Sequence, residues 1–342
     1  MIQFLAATLM WGLVLCLLPG IQRRADQSIV VAAVTIAAAL TLNVDRVYSA
    51  GDALLGGRNV LDLGANILMV VGIYFLSRAI LRAADPDDIP SGHDRLGIAV
   101  LGLVIAGLIV CFSLIEAPYS STTFMKDFGD QWSAATYSAL QFVYIGAVVS
   151  VTGYTCFRFR GDMSRPYFRV AFTLIGVGCS LAVVLVLAVL GMDVLHLQGD
   201  LAGMYALSVV YDGAFIGAMA FLCVGLALPP MARRLQRIKD SKAEASLVSG
   251  LTEVWERMTE SMPEIRLVSA VPADRQKSAR WRLHRMLVEV QDALLMDPGL
   301  SKTLDEGDRR LLERVERYLA AGPGGRADRA DPRPTRKGER TS

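Results

Sequence analysis

The chain has 342 residues, of which 53% are hydrophobic and 20% are charged, and its net charge is +2. Soluble domains are on average less apolar and carry about 25% charged residues, so this composition argues against a wholly soluble protein. Most of the apolar residues lie before Pro229, and the charged residues are concentrated after it. We therefore expect a membrane-embedded part followed by a smaller soluble part.

The first part predicts an all-α fold with a seven-helix transmembrane bundle over residues 1–228. A span needs about 20 apolar residues, and its backbone must bond internally, which favours helices. Seven segments qualify: 2–19, 28–44, 63–81, 96–115, 135–156, 170–192 and 204–228, the second being the shortest. The first segment is predicted to be a retained helix, because Arg23 and Arg24 follow its apolar run and a signal peptide has the opposite order.

The distribution of basic residues predicts the orientation of the bundle, because cytosolic loops are enriched in Lys and Arg. With the N-terminus outside, nine basic residues fall in cytosolic connections and three in outer ones. The cytosolic set is Arg23, Arg24, Arg78, Arg82, Arg95, Arg158, Arg160, Arg165 and Arg169, and the outer set is Arg46, Arg58 and Lys126. We expect a multi-pass protein of the plasma membrane with its C-terminus in the cytosol.

Polar residues inside the predicted spans are candidates for a ligand or ion site, because burying them in lipid is costly. The deepest carboxylate is Asp212, which follows Tyr211 in the seventh segment. Gln141 and Tyr144 lie one helical turn apart in the fifth segment and could face it. Two roles are open for Asp212: it binds an ion or a ligand, or its carboxylate is hydrogen-bonded by a tyrosine or a backbone group of a neighbouring helix. Asp62, Asn66 and Glu116 lie near span ends, where an interfacial role is expected.

No cofactor, metal or catalytic site is predicted. The five cysteines lie in or beside apolar runs without a C-x-x-C pair, and the three histidines lack ligand spacing. The sequence also contains no P-loop, kinase motif or Ser-His-Asp arrangement. We therefore expect a protein that is not an enzyme.

After the bundle, Pro229 and Pro230 are predicted to end the last span. A basic juxtamembrane helix over 229–244 then carries Arg233, Arg234 and Arg237, which suit contact with anionic lipid in addition to the lipid bilayer itself. No aromatic residues are interleaved with this basic patch, so nucleic acid is not an expected partner. A helical cytosolic domain follows over 245–321, with helices near 246–261, 273–296 and 305–321, and a disordered tail over 322–342.

The second helix of this domain is expected to place four charged residues on one face: Arg282, Arg285, Glu289 and Asp292. Arg285 and Glu289 have the spacing of an i,i+4 ion pair. The face is either a solvated stripe of ion pairs or a docking face for a cytosolic protein partner or the membrane loops.

The same region resembles a known family. Leu251-x3-Trp255, then 263-PEI-x-L-267, then Arg282-x2-Arg285-x3-Glu289-Val290-x-Asp292-Ala293 is similar to a domain of unknown function. That domain occurs in actinobacterial membrane proteins behind seven helices, in a family commonly labelled as transporters whose activity is not established. The resemblance implies the architecture and the label, and it brings no accepted site residues. Val290 replaces a more usual Ile and His284 a more usual Tyr, and neither change alters the helix.

Two hypotheses for the function follow. The first is a transporter of a small solute, supported by the seven predicted spans, Asp212 and the family label, although no internal repeat or plainly broken span is visible. The second is a receptor-like sensor or scaffold that signals through its cytosolic helical domain.

Overall fold

The computed structural model describes residues 2–19, 26–84, 91–163, 165–260 and 279–320. Within these ranges the chain forms helices and no strand, which confirms the all-α prediction. The eleven α-helices of the described residues are α1 (Ile2–Leu17), α2 (Ser28–Leu42), α3 (Asp45–Leu54), α4 (Val60–Ala84), α5 (Ser91–Ser113), α6 (Phe124–Phe128), α7 (Trp132–Phe159), α8 (Pro166–Leu197), α9 (Leu201–Thr259), α10 (Ala279–Met296) and α11 (Glu306–Ala320). The chain divides into two compact units, Met1–Ala232 and Arg233–Ser342.

Five helices of the described residues are long and apolar enough to cross a bilayer, namely α4, α5, α7, α8 and α9. A sixth span results if α2 and α3, which are bent by 83° relative to each other, count as one. α1 has 16 residues and α2 has 15, so each is about 22–24 Å long and shorter than the ~30 Å hydrocarbon core. The chain is thus consistent with an integral membrane protein, and the number of seven spans remains a prediction.

The first unit is a layered bundle in which α7 has a central place. α7 packs against α4, α5 and α8, and α2 packs between α1 and α4. Close approach of α2 and α4 depends on Gly72, because a Cβ there would lie 2.4 Å from Cγ1 of Ile36. The first half of α9 reaches α8, where Gly178 lies against the backbone of Leu222. These helices enclose one apolar core.

Four charged residues join the ends of α2, α4 and α5. Arg82 donates to Asp26 at 2.8 Å and to Asp94 at 2.7 Å, and Arg78 donates to Asp94 at 2.9 Å. Burial alone would raise the pKa of Asp26, but hydrogen bonds from Ser28 and Arg82 outweigh it and lower the pKa to about 2. Both arginines were assigned to a cytosolic connection by sequence, and the structure shows them tying three helices together.

The two prolines that were predicted to end the last span do not end the helix, because both lie inside the continuous helix α9, and the end of the span itself stays a prediction. A proline holds φ near −65°, a helical value, and each proline removes only one backbone hydrogen bond. Apolar membrane-type helices tolerate such a loss. The separate helix predicted over 229–244 and the one over 246–261 are therefore parts of α9, and the border between the two compact units falls within it.

The second unit has its own apolar core, formed by the last part of α9 with α10 and α11. Leu251, Val254 and Met258 of α9 pack with Leu283 and Val290 of α10, and all five are fully or almost fully buried. The predicted α10 start at 273 lies outside the described residues, as do the extended piece at 265–267 and the tail at 322–342. The end of α10 at Met296 and the bounds of α11 agree with the prediction to within one residue.

Candidate functional site

Two polar pairs on facing helices form an interlocked cluster inside the first unit, which we call the α4–α7 polar cluster. Asp62 and Asn66 are one turn apart on α4, and Tyr137 and Gln141 are one turn apart on α7. Residues four apart lie on one face of a helix, so each pair projects from a single face. The two faces meet at the contact between α4 and α7. Tyr137 and Gln141 are 1% and 4% exposed, and the α4 pair is half-buried.

Asn66 is the centre of this cluster. Its Nδ2 donates to Oδ2 of Asp62 at 3.0 Å and to the hydroxyl of Tyr137 at 2.8 Å. Its Oδ1 accepts from Nε2 of Gln141 at 3.0 Å, and the Tyr137 hydroxyl donates to Oδ2 of Asp62 at 3.0 Å. At 1.5 Å per residue, Asn66 lies about 9 Å from the start of α4 and Gln141 about 14 Å from the start of α7. The cluster therefore extends from the helix ends into the apolar bundle.

Asp62 has no ion pair with a basic side chain anywhere in the described residues. Its hydrogen bonds come from neutral donors, so the negative charge of an ionised Asp62 is stabilised but not neutralised. Such an arrangement can bind a cation or the polar end of a neutral solute, and it can carry a proton.

A second, fully hydrogen-bonded network closes the same end of the bundle. Asp52 is completely buried at the end of α3 and accepts from the Ser120 hydroxyl at 2.5 Å and the Asn59 amide at 3.0 Å. Asn59, with φ of 58°, also accepts from the Tyr48 hydroxyl and the Ser121 amide. These bonds fix the connection between α3 and α4 against the segment before α6, and they position the start of α4 with Asp62.

The structure separates the predicted site residues around Asp212. Gln141 binds Asn66 instead, and Tyr144 is buried with a hydroxyl that has no hydrogen-bond partner among the described residues. Asp212 itself is exposed on the surface of α9, with no hydrogen bond or ion pair within the described ranges. Tyr211 is half-buried and stacks on Phe215 with ring centroids 6.0 Å apart. A ligand role for Asp212 remains a prediction.

In the second unit, Glu289 does not lie on an exposed charged face of α10 as the sequence had predicted. The side chain of Glu289 is 0% exposed and accepts from Nε1 of Trp255 at 2.6 Å and from Nε of Arg285 at 2.8 Å. The i,i+4 pair is thus present, but it lies in the core because Glu289 borders the apolar face of α10 and points towards α9. Arg282 and Asp292 are exposed, and the Arg285 guanidinium lies 5.8 Å from the centre of the Trp281 ring.

Comparison with known proteins identifies the second unit only in part. Residues 242–329 match a family of unknown function, DUF6545. The match includes Trp255, Arg285 and Glu289, so the buried cluster that joins α9 to α10 lies within the matched domain. No curated protein and no solved structure matches the chain.

The spacing of polar residues in the sequence indicates the α4–α7 polar cluster. Asp62 with Asn66 and Tyr137 with Gln141 are both polar pairs with i,i+4 spacing in otherwise apolar helices. Their position near a span end predicts an interfacial role for Asp62 and Asn66, and Tyr137 is not among the residues predicted to form a site.

Proposed function

We propose that this protein is an integral membrane transporter that moves a small polar or cationic solute past the α4–α7 polar cluster. The observation that carries the proposal is a hydrogen-bonded group of four polar side chains, one of them a carboxylate without a basic partner in the described residues. Polar and ionisable residues within spanning helices are costly and commonly mark solute or ion pathways.

Two further points support a transport role. The motifs between Leu251 and Ala293 resemble a domain of membrane proteins that are labelled as transporters, and this resemblance favours the proposal. Helix α4, which carries Asp62 and Asn66, also has a polar network at each of its ends. The network around Asp52 lies at its N-terminal connection, and the network of arginines and aspartates around Arg82 lies at its C-terminal end. Because both networks include α4 or its N-terminal connection, a movement of α4 would affect both ends.

Flux into proteoliposomes tests the proposal. The purified chain is reconstituted and assayed for uptake of labelled amino acids, sugars, Na⁺ and Rb⁺, and any solute taken up is measured again with Asp62→Asn. We expect uptake to fall at least tenfold, because the substitution removes the charge and keeps the shape. Asp130→Asn makes the same chemical change on an exposed loop and should leave uptake unchanged.

Two outcomes would contradict the assignment of this cluster. Uptake that is unchanged in Asp62→Asn would make the cluster a structural clamp between α4 and α7. Uptake lost in Asp212→Asn but retained in Asp62→Asn would move the site to α9. Absence of uptake of every solute in the panel would count against transport by this chain.

A receptor-like sensor or scaffold is the second candidate function, and α9 gives it specific support. This one helix of 59 residues contributes to both compact units, so the matched domain follows directly in the chain on a helix of the bundle. Arg282 and Asp292 provide an exposed charged surface for a soluble partner. Partner capture with Arg282→Glu tests this role, because Arg282 is exposed whereas Arg285 pairs with a buried carboxylate. Identical capture by the variant and the wild type would contradict it.

A further inference from the structure

Helix α3 turns sharply away from the direction of the bundle. α2 runs antiparallel along α4, because Asp26 pairs with Arg82 and, ten residues further along α2, Ile36 lies against Gly72, ten residues earlier on α4. α3 is bent by 83° relative to α2. Since α4 is long and apolar enough to cross a bilayer, the axis of α3 lies close to the membrane plane, within the ~20° by which spanning helices are tilted on average.

The depth of α3 along the bundle is that of a membrane surface. Asp26 marks one end of the bundle, where it pairs with Arg82. Asp45, the first residue of α3, follows it by 19 positions, which is about 28 Å at the rise of an α-helix. Asp52 of α3 accepts from the amide of Asn59, just before the first residue of α4. Because the hydrocarbon core is about 30 Å thick, α3 lies where the core ends when Arg82 lies at the opposite surface.

The surface of α3 is divided into three sides. Tyr48 and Asp52 form a buried side and both hydrogen-bond Asn59 of the α3–α4 connection. Two other sides are exposed, namely an apolar face (Val47, Ala50 and Leu54) and a polar face (Arg46, Ser49 and Ala53). At 100° per residue, the three sides point in directions that are about 100–150° apart. On the apolar face Leu54 is 88% exposed, so this face has little contact with the protein.

A helix that lies flat beside a bundle at a membrane surface has three different neighbours: protein, lipid and water. The buried side of α3 contacts protein, and its polar face suits water. The apolar face, which includes the two large side chains of Val47 and Leu54, then suits lipid. Arg46 lies beside this face, and its methylene groups can cover apolar surface while the guanidinium reaches water.

We propose that α3 is an interfacial helix whose apolar face is inserted between the lipid headgroups and the first part of the acyl chains. The partner of this surface is the lipid bilayer. α3 then does not extend the span of α2, and the pair crosses the bilayer once. Since Asp52 and Asn59 join α3 to the start of α4, the interfacial helix holds that end of α4 at the membrane surface. The proposal rests on the membrane assignment and does not depend on transport.

Accessibility of spin labels in vesicles tests the proposal. In a chain whose five cysteines are replaced by alanine, single cysteines are placed at the three positions of the apolar face or of the polar face. Each variant receives a nitroxide label and is reconstituted in phosphatidylcholine vesicles. The polar face is the matched control, because its positions are also exposed and differ from the first set by one residue. O₂ concentrates in lipid and a nickel chelate stays in water, so we expect the ratio of their collision rates to be about fivefold higher on the apolar face.

The other outcomes would overturn the proposal. Equal ratios on the two faces would place both in water. Low collision rates with both reagents on the apolar face would show that protein covers it, and spin–spin broadening would identify that protein as a second copy of the chain. Leu54→Trp and Ser49→Trp, made with the native cysteines intact, give a second measurement: brominated lipid should quench the added emission of the first variant only. Neither assay measures flux, so a failed transport proposal leaves both results unchanged.

Discussion

Replacing Glu289 by Ala should destabilise the second unit far more than an equivalent change at an exposed ion pair. The substitution removes acceptors for Trp255 and Arg285, and hydrogen bonds to charged groups contribute about 1.5–3 kcal/mol each. Loss of one partner of a buried pair costs about 3–5 kcal/mol. The Arg285 side chain is 27% exposed and can be partly rehydrated, so we expect the lower end, about 3 kcal/mol.

The assay is urea unfolding of the full chain in detergent, which acts on the soluble helices while the bundle stays in the micelle. Trp11→Phe and Trp132→Phe leave only the two tryptophans of the second unit, Trp255 and Trp281, as reporters. The matched control is Glu306→Ala, because Glu306 also pairs with an arginine at i,i+4 but is 79% exposed. We expect the control to change the unfolding free energy by at most about 0.5 kcal/mol.

A double-mutant cycle separates the Trp255–Glu289 bond from loss of packing. Trp255→Phe and Glu289→Gln, singly and together, should show a coupling energy of about 1–2 kcal/mol, with Trp281 as the reporter. A coupling near zero, or equal costs for Glu289→Ala and Glu306→Ala, would refute the reasoning that Glu289 joins α10 to α9.

Three further predictions concern the first unit and its border with the second. Gly72→Ala should lower the thermal midpoint of the bundle by several degrees, because a Cβ at this position would overlap Ile36 of α2. Gly64→Ala on the same helix should leave the midpoint unchanged, because a Cβ there would have no neighbouring atom within 4 Å. Asp26→Asn should lower the thermal midpoint of the bundle at pH 7. Because the pKa of Asp26 is lowered to about 2, the stabilising effect of its charge is present above about pH 4 and decreases as the pH falls towards 2. Equal midpoints of the variant and the wild type at pH 7 would contradict this prediction. Arg234→Glu with Arg237→Glu should reduce binding of the detergent-purified chain to vesicles containing phosphatidylserine, and unchanged binding would argue against contact with anionic lipid.

Helical periodicity and apolar length predicted most of the fold because they are local properties of the sequence. The helices around 63–81, 135–156 and 170–192 are present as α4, α7 and α8, although each is longer than its apolar segment. Proline was given too much weight at Pro229, since its effect on a helix depends on packing and on the residues before it. The sharp bend between α2 and α3 was not predicted. The path of the α3–α4 connection was not predicted either, because the hydrogen bonds of Asp52 and Asn59 that fix it involve residues about 60 positions away.

The candidate site was less accessible to sequence reasoning because it depends on which helices are neighbours. Gln141 was identified as a buried polar residue, but its partner could not be chosen among the polar residues of other spans. The structure gives Asn66, whose position near a helix end had indicated an interfacial role. Glu289 shows the same problem in the second unit. Its position on the helical wheel borders both faces, and its hydrogen bond from Trp255 of α9 shows that it lies on the buried one.

Labelling of engineered cysteines in proteoliposomes tests most directly that the bundle lies in lipid and that its polar cluster is reached from water. In a variant without native cysteines, Asn66→Cys should react with a charged, membrane-impermeant thiol reagent. Leu103→Cys, whose parent side chain is 74% exposed on α5, should not react, because lipid covers that face. Rapid labelling of Leu103→Cys would contradict the membrane assignment, and an inert Asn66→Cys would contradict a water-accessible site.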